Sequence, residues 1–274
     1  MYTQNIIKDP KYLTANNVNE NFISFFNKPG PYYSSYPILG QWNDFEDDDF
    51  YKSALKEFFS QNPERPIYLY IHIPYCAKLC YYCCCKINIS NNREIINKFV
   101  QCLIKECNML ESFFEQNKIQ PNIKEVHLGG GTPSHLSVNE LKELISSLKN
   151  LVDFKTLKEF SMEIDPRTVD LEHFNYYQAF GVDRISFGIQ DFNLKVQEKI
   201  NRVQPYELIE SLMEKEIRKK FSGVNFDLLF GLPLQTRQTL KETINLTKLL
   251  APERITLIKY LHIPQKVKHM LNKY

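Results

Sequence analysis

The sequence predicts an α/β fold, a partial (β/α)6 barrel with an N-terminal arm. Three observations predict it. Six β-rich runs alternate with stretches of helical periodicity, and such alternation builds parallel βα units with right-handed crossovers. Each run ends in a polar or glycine-bearing segment, as at a barrel mouth; an open doubly wound sheet would gather such groups at one switch point. The first sixty-odd residues lack this alternation. The domains expected are therefore an arm with a short helix over 1–64 and the barrel over 65–274.

The arm is aromatic-rich, with Pro29-Gly-Pro31 and Tyr36-Pro37, and a short helix is expected around Phe50–Phe59. Ile67–Ile73 reads as the first strand, stopped by Pro74. Ile95, Phe99, Leu103, Cys107 and Leu110 then recur at helical spacing. Lys124–Leu128 is the second strand, running into Gly129. Ser137 and Glu140 have the spacing of a capping box and open a helix carrying Leu141, Leu144, Ile145 and Leu148. Glu159–Ile164 is the third strand, and Leu171–Phe180 a helix closed by Gly181. Arg184–Ile189 is the fourth strand, followed by helical text divided near Pro205. Val224–Phe230, a helix over Thr239–Leu250 and a sixth strand over Arg254–His262 complete the series. Lys266–Tyr274 would begin the sixth helix through Val267, Met270 and Leu271.

Composition narrows the function. A net charge of +2 gives no global field for nucleic acid. The acidic Asp44–Asp49 run and the basic Lys215–Lys220 stretch read as solvated faces. No apolar run has membrane-spanning length, and the N-terminus lacks the form of a secretory signal, so a cytoplasmic location is expected.

Five of the 7 cysteines crowd into Cys76–Cys85. A disulfide framework would spread them along a small secreted chain, so crowding points to metal or redox chemistry. Cys76, Cys80 and Cys83, separated by three and two residues, put three thiolates on one loop after a strand. Three thiolates can hold three irons of a cubane cluster and leave the fourth open. A zinc site would pair such ligands with a distant second pair, which Cys102 and Cys107 do not offer. Those two read as packing residues in a helix, and His72 and His127 as structural histidines.

The spacing of Cys76, Cys80 and Cys83, with Tyr82 before the third, resembles the radical S-adenosylmethionine (SAM) superfamily. Within it, the sequence is similar to the oxygen-independent coproporphyrinogen III oxidases. The resemblance is carried by Tyr70-Ile-His-Ile-Pro-Tyr-Cys76, Cys83-Cys84-Cys85, Leu128-Gly-Gly-Gly-Thr-Pro133, Glu163-Ile-Asp-Pro166, Phe187-Gly-Ile-Gln-Asp-Phe192, Asn201-Arg202 and Asp227-Leu-Leu-Phe-Gly-Leu-Pro233. The arm Pro29-Gly-Pro-Tyr-Tyr-Ser-Ser-Tyr-Pro37 adds to it.

The resemblance implies a radical-SAM barrel with a 4Fe-4S cluster on Cys76, Cys80 and Cys83 and SAM as cofactor, with room for two SAM molecules. Tyr70, Tyr82, Gly130 and Glu163 match positions around cluster-bound SAM. Gly131, Thr132, Gln190, Arg202 and Asp227 match contacts to a second SAM, and Leu261 stands near it where relatives often carry a small residue. No side chain is assigned as catalytic in itself, because the radical arises on SAM. The implied reaction is oxidative decarboxylation of two propionates of coproporphyrinogen III to the vinyls of protoporphyrinogen IX. A reductant such as flavodoxin or ferredoxin would supply the electron to a monomer. The alternatives are a haem-trafficking protein on the same scaffold or an inactive fragment that keeps the cluster site. Cys85 and the Pro-Gly-Pro arm favour the oxidase branch. Cys84 replaces a usual glycine and Tyr32 a usual arginine, and relatives continue past this C-terminus with a further domain.

Overall fold

A computed structural model describes residues 47–270 and, before them, Ser24 and Gln41. The Pro29–Pro37 arm, with Tyr32, lies outside the described residues, as does 271–274. The chain divides into two compact units, Met1–Ser53 and Ala54–Tyr274.

Helix α1 covers Asp48–Gln61. Six strands then form one parallel sheet: β1 (Ile67–Ile73), β4 (Ile123–Gly130), β5 (Glu159–Ile164), β6 (Arg184–Gln190), β7 (Gly223–Phe230) and β8 (Arg254–Lys259). Their spatial order, β1-β4-β5-β6-β7-β8, is their chain order. A doubly wound sheet reverses its strand order at the middle. Here every strand adds on the same side, so right-handed crossovers place the helices between consecutive strands on one face. β1 and β8 are the outer strands, and the barrel is partial.

Strand alternation separates the two faces. Ile71, Ile73, Val126, Leu128, Phe160, Met162, Ile185, Phe187, Val224 and Phe226 are buried in one cluster with helix residues. Their neighbours, among them Tyr70, His127, Glu163, Ser186 and Asp227, turn to the opposite, polar face. Each fully buried large side chain in the core contributes about 1.5–3 kcal/mol.

The helices packed on the sheet are α2 (Arg93–Gln116), α3 (Val138–Leu151), α4 (Leu171–Phe180), α5 (Leu194–Lys199), α6 (Tyr206–Leu212), α7 (Lys215–Arg218) and α8 (Arg237–Leu250). The capping box expected at Ser137 and Glu140 is formed in both directions. Gly181 closes α4 with φ 97°, as its position after the last apolar residue implies.

Four sequence expectations shift. In α2 the fully buried residues are Ile96, Val100 and Phe114; Phe99, Leu103 and Cys107 of the expected stripe pack half-buried against the same core, while Ile95 is exposed. Cys102 is exposed instead of packed, whereas Cys107 packs against the core. The sixth strand ends at Lys259 and not at His262. Beyond it, the described part of the expected helix is a single 3-10 turn, Lys268–Met270. A further pair was not anticipated: β2 (Tyr75–Cys76) runs parallel to β3 (Asn88–Ile89). Two-residue strands have no periodicity to read.

Candidate functional site

The cysteine loop leaves β1 at Pro74, and its two ends are held by the β2–β3 pair. Ser90 N donates to Cys76 O at 3.1 Å, and Asn88 N to Pro74 O at 2.7 Å. The loop crown is anchored from the turn after α5. Tyr81 N donates to Ile200 O at 2.9 Å, and Asn201 Nδ2 to Leu79 O at 2.7 Å. The His269 ring donates from Nε2 to Cys83 O at 2.7 Å.

The expected ligands lie together on this loop. Cys76 and Cys80 are buried and Cys83 half-buried, whereas Cys84 and Cys85 are exposed. Burial pushes the Cys76 thiol up, against the lowering effect of a hydrogen bond from Thr132 Oγ1 to Cys76 Sγ at 3.2 Å. The Cys83 and Cys85 thiols interact. Their interaction raises Cys83, with burial adding to the rise, and lowers Cys85 to about 7. Among the described residues no three Cys, His, Asp or Glu side chains converge on a single-ion site. A cubane cluster spreads its irons over cube corners and is held by thiolates that stand apart.

The glycine run explains how the loop meets the sheet. Gly130 has φ +115°, and a Cβ there would sit 2.6 Å from His72 Nδ1. A Cβ on Gly131 would lie 2.9 Å from the Pro74 carbonyl and 3.0 Å from Cys76 Sγ. The missing side chains therefore admit His72 and the cysteine loop themselves. Thr132, next in line, is buried and spends its hydroxyl on Cys76.

At the polar face, Glu163 accepts from Gly130 N at 3.1 Å through Oε2 and pairs with His127 Nε2 at 3.2 Å through Oε1. His127 Nδ1 bonds Ser161 Oγ at 2.8 Å, which fixes the ring. Tyr70 stacks on His127 with centroids 5.8 Å apart, and its hydroxyl bonds His72 Nδ1 at 2.9 Å. Burial, then the charges of Glu163 and Cys85, raise the Tyr70 phenol. Tyr70 is still 54% exposed, so Tyr70, Gly130 and Glu163 present one connected rim. Tyr82, expected beside them, packs against a second apolar cluster of Val196, Ile200, Leu229, Leu232, Tyr260 and Met270. Burial raises its phenol well above the usual value.

Deeper on the same face is a cavity of about 260 Å³ lined by His127, Ser161, Glu163, Ser186, Asn225, Asp227 and neighbours. Asp227 accepts from Ser186 Oγ at 2.9 Å and Asn225 Nδ2 at 2.8 Å, and burial raises its carboxyl. Gln190 ends β6 with φ 68°, where the pairing with β7 slips. Leu261 is exposed beyond β8. Arg202 is buried and committed inward. Its Nε and Nη2 donate to Gly188 O at 3.0 and 2.8 Å, and its Nη1 reaches Asp165 Oδ2 at 3.1 Å.

Sequence reasoning missed two groups here. Asp165 and Arg167 form a bidentate pair at 2.9 and 2.6 Å beside Cys80. Asp165 lies in the quoted Glu163–Pro166 motif and Arg167 follows it on the same turn, but nothing linear marks Arg202 as the second partner. Ser161 holds His127 across two strands, and only their alternation hinted at a shared face.

The family model of the radical SAM superfamily matches residues 70–247. The chain is 34% identical over 242 residues to oxygen-independent coproporphyrinogen III oxidase of Salmonella typhimurium, covering 88% of this chain and 51% of that protein. It is 33% identical over 248 residues to the Helicobacter pylori protein of the same name, covering 90% and 54%. The solved structure of coproporphyrinogen III oxidase (HemN) from Escherichia coli, a radical SAM enzyme, superposes with a TM-score of 0.76 at 31% identity, covering 87% of this chain and 53% of that one. The chain thus spans about half the length of the curated relatives it matches.

Proposed function

The chain belongs to the radical SAM superfamily, and from that membership we propose that it acts in oxygen-independent oxidative decarboxylation of coproporphyrinogen III, with a 4Fe-4S cluster on Cys76, Cys80 and Cys83 and SAM as cofactor. The observation that carries this reading is one juxtaposition. The three-cysteine loop adjoins the rim formed by Tyr70 in β1, Gly130 at the end of β4 and Glu163 near the end of β5.

The residues fit both groups. The donors are thiolates alone, a soft set suited to iron–sulfur chemistry. Two of the three thiols are buried, and the guanidiniums of Arg202 and Arg167 stand 3.6 and 3.8 Å from Cys80 Sγ, where they offset thiolate charge. Glu163 holds a half-exposed carboxylate able to accept from an amino group or ribose hydroxyls. When bound, the reduced cluster and SAM supply a 5′-deoxyadenosyl radical that removes hydrogen from a propionate.

The protein binds, orients and excludes water. His127, fixed by Ser161, directs the Glu163 carboxylate toward the Gly130 amide. Asp227 is the candidate for ammonium or ribose groups of a second SAM, with Ser186 and Asn225 orienting it. Gly131, Thr132, Gln190 and Leu261 are assigned to the same subsite and Tyr82 to the adenine of the first, whereas the Arg202 guanidinium is engaged by Gly188 O, Asp165 and Cys80. We further read the electron donor as flavodoxin or ferredoxin, the chain as a monomer and its location as cytoplasmic. No helix among the described residues is long and apolar enough to cross a membrane.

The test is anaerobic reconstitution with iron and sulfide, reduction, and addition of SAM and coproporphyrinogen III. Formation of 5′-deoxyadenosine with vinyl product is the expected result. Cluster absorbance without deoxyadenosine would reject the radical reaction, and haem binding without turnover would favour a trafficking role. Cys84→Ser and Cys85→Ser should each keep the cluster, while Cys76→Ser, Cys80→Ser or Cys83→Ser should lose it; iron content and absorbance read the difference.

A further inference from the structure

Cys80 is held unlike the other two thiols. Cys76 receives a neutral hydroxyl from Thr132, and Cys83 has the Cys85 thiol for its neighbour. Cys80 Sγ faces two guanidiniums, Arg202 Nη1 at 3.6 Å and Arg167 Nη2 at 3.8 Å.

Both cations are tied to one carboxylate. Arg167 grips Asp165 bidentately, at 2.9 Å to Oδ1 and 2.6 Å to Oδ2, and Arg202 reaches Oδ2 at 3.1 Å. Two hydrogen bonds to Gly188 O lock Arg202 in place. The group is well buried, with side-chain exposures of 7% for Asp165, 8% for Arg202 and 20% for Arg167. A structural ion pair needs one arginine for one carboxylate. The second guanidinium leaves an excess positive charge, and it is aimed at sulfur. In a dry environment such a charge acts strongly over these distances.

We propose that Asp165, Arg167 and Arg202 form a charge clamp on Cys80 that raises the reduction potential of the bound cluster, with Arg167 and Asp165 as its positioning residues. This rests on the reading of Cys76, Cys80 and Cys83 as cluster ligands. Reduction adds one electron to the cluster, and nearby positive charge and hydrogen bonds to the sulfurs stabilise that state. The electron comes from a one-electron donor, dithionite in the test below, and remains on the cluster; no bond is made or broken.

The experiment is a potentiometric titration of the reconstituted chain, followed by electron paramagnetic resonance. Arg167→Gln should shift the midpoint down, and Arg167→Lys should recover part of the shift. Asp165→Asn removes the counter-charge and should shift it up. Arg218→Gln, at the distant Glu253 pair, should leave it unchanged. A merely structural role predicts no such opposition of sign. An Arg167→Gln midpoint equal to that of the native chain, or an Asp165→Asn shift in the same direction as Arg167→Gln, overturns the clamp. If Arg167→Gln takes up no cluster, Arg167→Lys and Asp165→Asn decide. Failure of the native chain to take up a cluster removes the ligand reading itself; a loaded native chain with no opposed shifts removes only the clamp.

Discussion

Gly130 occupies a place that one added methyl group would break. Its φ of +115° is in the region that L side chains avoid, and its absent Cβ would meet His72 at 2.6 Å. His72 cannot easily yield, because its ring bonds Tyr70 OH and Lys86 O. Gly130→Ala should therefore cost about 2–4 kcal/mol, strain and overpacking together, read as a fall in the urea midpoint. Asp165 offers a pH test. Burial alone would raise its carboxyl, but Arg202 and Arg167 outweigh burial and hold it at about 2, below the ordinary 3.8. A carboxyl depressed on folding stabilises the protein fully above its unfolded value and loses that contribution as pH falls through its folded value. Between about 4 and 2, then, roughly 2 kcal/mol should disappear, and Asp165→Asn should flatten that part of a stability–pH profile. The cysteines and glycines were legible as residue types. The ion cluster beside Cys80 was not, because Arg202 and Cys80 meet the Asp165–Arg167 turn from loops distant in sequence.

Helix α3 shows an element that its own sequence defines. Ser137 and Glu140 close the capping box, with Ser137 N donating to Glu140 Oε2 at 2.8 Å and Glu140 N to Ser137 Oγ at 3.3 Å. Arg93 from α2 adds an ion pair to Glu140. Ser137→Ala should cost about 1 kcal/mol in chemical unfolding, the usual loss for an N-cap. Helix α2 was legible as a helix and largely in phase, since Phe99, Leu103 and Cys107 pack against the core. Apolar residues occur at both 95 and 96, and only packing against the sheet selects Ile96. The β2–β3 pair was not legible at all. Its two-residue strands exist because the cysteine loop folds back on itself, with backbone hydrogen bonds and no side-chain pattern.

In the molecule as a whole, stability is concentrated in the middle of the sheet. Leu128 on β4 is fully buried, while Leu257 on β8 is 51% exposed. Leu128→Ala should cost about 2–5 kcal/mol, and Leu257→Ala under about 0.5 kcal/mol; paired urea curves would show the gap. Ile255 and Ile258 are likewise exposed, so every residue of β8 lies open to solvent in the structure described. The polar ends of β1, β4 and β5 meet at one side of the sheet because the strands are parallel and added in order. That arrangement brings the cysteine loop, the glycine run and Glu163 to a single rim.

Sequence by itself determined the alternation of strands and helices, the capping box, the cysteine spacing and the motifs that identify the superfamily. These depend on local period and on neighbours a few residues apart, which linear text records. Tertiary structure alone decided that His72 and the cysteine loop fill the space above Gly130 and Gly131, that Tyr82 turns to an apolar cluster, and that Arg167 and Arg202 share Asp165 beside Cys80. Those contacts join residues 35 or more positions apart in most cases, such as Arg202 and Asp165 with |i−j| of 37. Their energies come from burial and charge proximity, which exist only once the sheet has assembled.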